Sequence, residues 1–323
     1  MPIVVPDYKA PSWCPGGHLQ TVIPAKFMPR PAIEYRREKV ELPDGDFMLW
    51  DWAVPEPADP SAPVLVHFHG LEGSSRSHYA EALMAACTER GWRGVVAHFR
   101  SCGGEMNRLP RAYFAGDSDD CEWVLRTVHE RFPDAELRAV GVSLGGNQLA
   151  KYLGDRGTDA GFLTAVSVGA PLDLVAGSER ISKGVNTFYA DMFLHTLRQK
   201  LELKAKQFPD VIREEDVKAC RTMFDFDNTY TGPIHGFRSA MEYWQKCSAK
   251  TVLPDVRVPL LLLNAKNDPF LPPWCLPTAG EMSAFVTGDF PEEGGHIGFP
   301  QGRVPGNINY LPQRIMRFFD TGS

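Results

Sequence analysis

Residues 138–154 read RAVGVSLGGNQLAKYLG. An apolar run from Leu137 ends at Val142, Ser143 follows in the frame Gly141-Val142-Ser143-Leu144-Gly145, and a helix-forming stretch begins at once. A strand that doubles back into a helix within one residue forces strained backbone angles on that residue. Glycines on either side remove the Cβ atoms that would collide as the chain reverses. Such a turn exposes the Ser143 hydroxyl and sets it at a helix N-terminus, where unpaired N–H groups and the helix dipole favour developing negative charge. Ser143 is therefore the candidate nucleophile.

Working outward from this turn, apolar runs alternate with longer amphipathic stretches, the rhythm of an α/β fold. Strands are expected at Phe47 to Val54, Pro63 to His69, Arg93 to Phe99, Leu137 to Val142, Leu163 to Val168, Pro259 to Ala265 and Ala284 to Thr287. Several of these, such as VLVHFH and LLLLNA, are unbroken apolar runs, which suits a mostly parallel central sheet flanked by helices on both faces. Helices are expected at Ser77 to Arg90, Asp117 to Arg131, Leu144 to Asp155 and Asn309 to Phe319. The rhythm breaks between Pro171 and Val256, where no strand is expected. That stretch carries twelve Lys/Arg and twelve Asp/Glu together with Phe188, Tyr189, Phe193, Phe224, Phe226, Tyr243 and Trp244. It reads as a helical cap inserted at 171–256 within a single catalytic domain spanning 1–323, or, more plainly, as elaborated crossover helices.

A serine hydroxyl needs a base to take its proton and a carboxylate to hold that base. Asp268, in LLLLNAKNDPF, lies just beyond a strand's C-terminal end, where catalytic groups gather in open α/β sheets. His296, in EEGGHIGF, lies on the Gly-rich loop after the last expected strand. The order Ser143, Asp268, His296 is that of a nucleophile, acid and base on such a sheet. Of the other eight histidines, His195 and His235 fall in the insertion and the remaining six precede Ser143. An oxyanion hole is expected from two backbone N–H groups: Leu144, and Leu71 in the loop His69-Gly70-Leu71-Glu72-Gly73. A second Gly-rich loop, FRSCGGEMN, holds Cys102, which reads as a small packed thiol.

Composition narrows the classes further. Charged residues make up 23 % and hydrophobic ones 43 %, which excludes a disordered chain. The net charge of −6 argues against a nucleic-acid partner. Seven scattered cysteines without a C-x-x-C pair fit a reducing, cytoplasmic setting, and no apolar stretch is long enough for a membrane span. Peripheral contact with a membrane stays open. Neither a metal-ligand spacing nor a nucleotide-binding glycine motif occurs, so no cofactor and no metal are expected.

The blocks GGHLQTVIP (16–24), FHGLEG (68–73), FRSCGGEMN (99–107), GVSLGGN (141–147), NAKNDPF (264–270) and GGHIGF (294–299) together resemble the YheT-like branch of the α/β-hydrolase superfamily. That branch also includes abhydrolase-domain proteins of animals and ester-forming acyltransferases of yeast. The resemblance implies an α/β-hydrolase fold with Ser143, Asp268 and His296 as triad, and carboxylester hydrolysis or acyl transfer as activity. Many members carry an H-x-x-x-x-D motif associated with acyl transfer; here Phe114 stands where its histidine would be. Phenylalanine neither gives nor takes a proton, so the expectation is a serine esterase acting on short- to medium-chain or lipid-like carboxylic esters. Transfer to an alcohol through the same acyl-enzyme is the nearer alternative. A non-catalytic ligand-binding protein and a peptidase are the more distant ones. His18 has no role that the sequence assigns.

Overall fold

The structure, a computed structural model, describes residues 3–160 and 163–322. Eight strands form one sheet: β1 (Glu34–Glu41), β2 (Phe47–Val54), β3 (Val64–Phe68), β4 (Arg93–Ala97), β5 (Leu137–Val142), β6 (Leu163–Val168), β7 (Leu260–Leu263) and β8 (Val286–Asp289). Their order is β1-β2-β4-β3-β5-β6-β7-β8. β1 pairs antiparallel with β2, and β2 with β4; every other pairing is parallel. The chain runs outward from β3 to β4 and then back to β5, so the order reverses between β3 and β5. A crevice opens beyond strand ends at such a reversal.

The unbroken apolar runs are buried on both faces, because successive side chains alternate between them. Val64, Val66 and Phe68 join one core with Leu125 of α3 (Ser118–Arg131) and Leu149 of α4 (Leu144–Arg156). Leu65 joins the other, with Leu83 of α2 (His78–Glu89) and Ile315 of the helix Tyr310–Thr321. The seven expected strands and four expected helices are all present, with ends shifted by at most a few residues.

Two elements appear that the sequence reading leaves out. β1 (EYRREKVE) is an edge strand with six charged residues, and only Val40 is buried, so no apolar alternation marks it. α1 (Gly16–Lys26) contains Pro24 and lacks an amphipathic stripe; it buries Gln20, Thr21 and Pro24 against loops rather than against the core.

Between β6 and β7 the described residues of 171–256 hold helices and no strand: α5 (Leu174–Ile181), α6 (Thr187–Gln207), α7 (Glu214–Ala219), Ala240–Cys247 and shorter turns. They build small apolar clusters, Leu194, Leu197, Leu201 and Phe226 in one and Tyr243 and Trp244, packed with Ala115, in another. No helix among the described residues is long and apolar enough to cross a membrane.

Candidate active site

Ser143 takes φ +54 and ψ −120, a conformation that L-residues with side chains avoid. The surroundings impose it. The Ser143 N–H donates to Val168 O of β6 at 2.8 Å, while Gly146 and Asn147 N–H donate back to Ser143 O, starting α4 at once. A Cβ on Gly145 would lie 2.5 Å from the carbonyl oxygens of both Phe68 and His69, so only glycine lets α4 approach the end of β3 this closely.

His296 and Asp268 meet this serine. His296 Nε2 is 3.0 Å from Ser143 Oγ, and His296 Nδ1 is 2.7 Å from Asp268 Oδ2. The carboxylate accepts from Nδ1–H, which leaves Nε2 bare to accept the serine proton. The other oxygen of Asp268 accepts the Phe270 N–H at 2.8 Å, and both Asp268 and His296 are buried. The Phe270 ring lies 4.2 Å from the imidazole and screens it. All three residues sit past the C-terminal ends of parallel strands β5, β7 and β8, at the edge where the order reversal opens the crevice.

The remaining histidines serve elsewhere. His69 Nδ1 donates to Gly70 O and its Nε2 accepts the Phe99 N–H; His98 likewise bridges Leu49 O and the Ser75 N–H. Burial holds both pKa values below the ordinary histidine value, so these rings are neutral struts between loops. His78 is pushed down to about 4 by burial. His235 packs its ring 4.3 Å from Phe114, the position at which the acyl-transfer motif departs. His18 stacks on Tyr189 of α6, with Nδ1 3.1 Å from the hydroxyl, and so links α1 to the inserted segment.

The sequence reading misses three residues that hold the site together, Gln20, Thr21 and Asn267. Gln20 of α1 is fully buried and uses its whole amide. Its Oε1 accepts from Asn267 Nδ2 and from Gly294 N–H, each at 2.8 Å; its Nε2 donates to Cys14 O and Glu293 Oε1. Asn267 Oδ1 in turn accepts the Gly295 N–H at 2.9 Å. Thr21 Oγ1 accepts the His296 N–H at 2.8 Å while donating to Gly17 O. The loop before Asp268 and the loop before His296 are thus tied through one helix. Gly17 is part of the fit, since a Cβ there would fall 1.9 Å from Asn267 O. The block GGHLQT was visible in the sequence; its partners, up to 275 positions away, were not.

Around Ser143 the N–H groups of Leu71 and Leu144 have no hydrogen-bond partner among the described residues, whereas Gly70 N–H donates to the Tyr79 hydroxyl and Glu72 N–H to the Tyr113 hydroxyl. Leu71 and Leu144 line a cavity of about 160 Å³ together with Ser143 and His296. Its walls are mainly apolar: Phe270 and Leu271 from the sheet edge, with Ile181, Phe193, Leu197 and Trp244 from the insertion. A polar cleft lined by Arg37, Glu72, Arg76 and Glu105 shares Ser101, Met106 and Lys200 with the cavity. Cys102 is buried and its thiol pKa is pushed up to about 12, so it reads as a packed thiol rather than a nucleophile.

The sequence family described as alpha/beta hydrolase fold matches residues 63–277. YheT of Escherichia coli (strain K12), whose name provisionally calls it an esterase, is 38 % identical over 94 % of this chain and 90 % of its own. The chain belongs to the YheT-like branch of the α/β hydrolases. Other relatives include human Phospholipase ABHD3, 28 % identical over 98 % of this chain and 79 % of its own. The Monoacylglycerol lipase of Saccharomyces cerevisiae is 30 % identical over 66 % of this chain and 49 % of its own. Among solved structures, mouse alpha/beta hydrolase domain-containing protein 10 shares the fold at a TM-score of 0.57 and 15 % identity, covering 89 % of this chain and all of that one. The names of these relatives are hydrolase names, and as a YheT-like α/β hydrolase the chain is a hydrolase.

Proposed function

We propose that the chain is a serine carboxylester hydrolase. The observation that carries the reading is the hydrogen-bonded line from Asp268 through His296 to Ser143, ending at a cavity with apolar walls. Ser143 Oγ attacks the ester carbonyl as His296 Nε2 takes its proton; Asp268 holds the imidazole tautomer and stabilises its cation. The N–H groups of Leu71 and Leu144 receive the oxyanion. His296 returns the proton to the departing alcohol, then takes one from water, which attacks the acyl-enzyme; as the tetrahedral intermediate collapses, His296 gives that proton to Ser143 Oγ and the acid is released.

The apolar cavity supports a short- to medium-chain or lipid-like acyl group, and the 171–256 insertion, which supplies much of its wall, acts as a cap. Phe114 in place of a protic side chain favours water over an alcohol as acceptor. Seven free, buried cysteines agree with a reducing cytoplasmic setting.

Initial rates on p-nitrophenyl esters of increasing acyl length, with Ser143→Ala as control, test this reading. Release that peaks at one chain length and vanishes in the variant is the expected result. Turnover retained by Ser143→Ala overturns the nucleophile. Product analysis with added alcohol separates hydrolysis from transfer.

A further inference from the structure

The turn Gly70-Leu71-Glu72-Gly73 is closed by Gly73 N–H donating to Gly70 O at 2.9 Å. Its third residue, Glu72, has φ +55. In a turn of this kind that position is normally glycine or asparagine, because a side chain disfavours left-handed backbone. Glutamate stands there, and its carboxylate is held from two directions. The Tyr113 hydroxyl donates to Glu72 Oε1 at 2.8 Å while accepting the Glu72 N–H at 3.1 Å. The Lys200 ammonium donates to the same Oε1 at 2.7 Å.

Tyr113 lies in the sheet-edge loops; Lys200 comes from α6, 128 positions along the chain, in the inserted segment. The pair is shielded, with side-chain exposures of 9 % for Glu72 and 26 % for Lys200. Lys200 lies 3.5 Å from Cys102 Sγ, and burial disfavours a thiolate there, so Glu72 is the anion that the ammonium answers.

Leu71, which lines the cavity with Ser143 and whose N–H has no partner among the described residues, directly precedes Glu72. The Gly70 carbonyl that accepts the Gly73 N–H belongs to the same peptide as the Leu71 N–H, so if Glu72 relaxes to negative φ the closing bond of the turn is lost and that peptide loses its anchor. We infer that Lys200 is a positioning residue: through Glu72 it fixes the turn that aims the Leu71 N–H, so that seating the inserted segment and completing the oxyanion hole are one event. The inference rests on the ester-hydrolase reading above and adds to it a link between the insertion and the reacting centre.

The test is second-site rescue, read as kcat and KM on p-nitrophenyl butyrate with melting temperature alongside. Lys200→Met is expected to lower kcat roughly tenfold with KM within twofold, less than the loss of a whole oxyanion donor. Adding Glu72→Gly to that variant supplies a residue at ease with the left-handed φ, and is expected to bring kcat back to within threefold of the unaltered enzyme. Lys200→Arg, which keeps a cation at the carboxylate, is expected to retain most of kcat. A Lys200→Met variant that loses only melting temperature, or a kcat loss that Glu72→Gly does not repair, overturns the positioning role. An unaltered enzyme inactive on every ester of the chain-length scan overturns the hydrolase reading itself, and the inference with it.

Discussion

Leu144 and Leu71, the two oxyanion donors of the proposed mechanism, are built in different ways. The Leu144 amide is the first of α4, fixed by backbone alone: Ser143 N–H on Val168 O, Gly146 and Asn147 N–H on Ser143 O, and glycine-close contact with the end of β3. The Leu71 amide sits on a turn whose awkward residue is steadied by side chains, one of them from an inserted segment. Backbone contacts in a sheet core move only when the fold moves, whereas a side-chain tie is made or lost by one rotamer. On the proposed mechanism, one donor therefore comes with the fold, and the other with the seating of the insertion.

The contrast is broken most severely on the Leu144 side. Gly145→Ala places a Cβ 2.5 Å from two backbone oxygens that have nowhere to go. Ester turnover is expected to fall on the order of 10³-fold and the melting temperature by about 5–10 °C, as for severe overpacking. Calorimetry and initial rates check both, and a near-normal variant would mean that the elbow yields more easily than its geometry allows.

Next in size is the tie behind the base. Gln20→Leu keeps the bulk but leaves Asn267 Nδ2 and Gly294 N–H without their acceptor in a buried place. A kcat loss on the order of 100-fold with KM little changed is expected. A kcat loss that persists at temperatures far below the melting transition separates this role from mere destabilisation. Thr21→Ser, which keeps the hydroxyl under the His296 N–H, is expected to stay near normal, while Thr21→Val loses about tenfold.

The smallest effect lies in the insertion and concerns stability. Burial pushes the Asp227 carboxyl up to about 6 against the opposing hydrogen bonds from Thr231 and the Trp244 indole. Between about 4, the unfolded value, and 6 the folded chain keeps a proton that the unfolded chain has released. Stability therefore falls as pH rises through that window, and the penalty persists above it. Asp227→Asn removes the charge and is expected to raise the melting temperature by roughly 3–6 °C at pH 8, shrinking towards nothing at pH 4. An equal gain at both pH values would assign the effect to packing instead.

Legibility in the sequence follows the same division. The elbow could be read because its requirements are local: an apolar run, a serine and glycines at fixed offsets leave one sterically allowed path. Asp268 and His296 could be read because each lies a few residues past a recognisable strand. β1 could not, since an edge strand wetted on both faces carries no alternation, and α1 could not, since it packs on loops and contains Pro24. The parts played by Gln20 and Lys200 were beyond reach for another reason. A buried amide or a half-buried ammonium is explained only by its partners, and theirs lie 247 and 128 positions away.

The central claim, that Ser143 is an activated nucleophile, is tested most directly by intact-mass analysis after a fluorophosphonate carrying a short alkyl chain is added to the unaltered protein. The account predicts one phosphonyl adduct per chain, mapped to the peptide containing Ser143, formed quickly and absent from Ser143→Ala. No adduct, or one on another residue with Ser143 untouched, would contradict it.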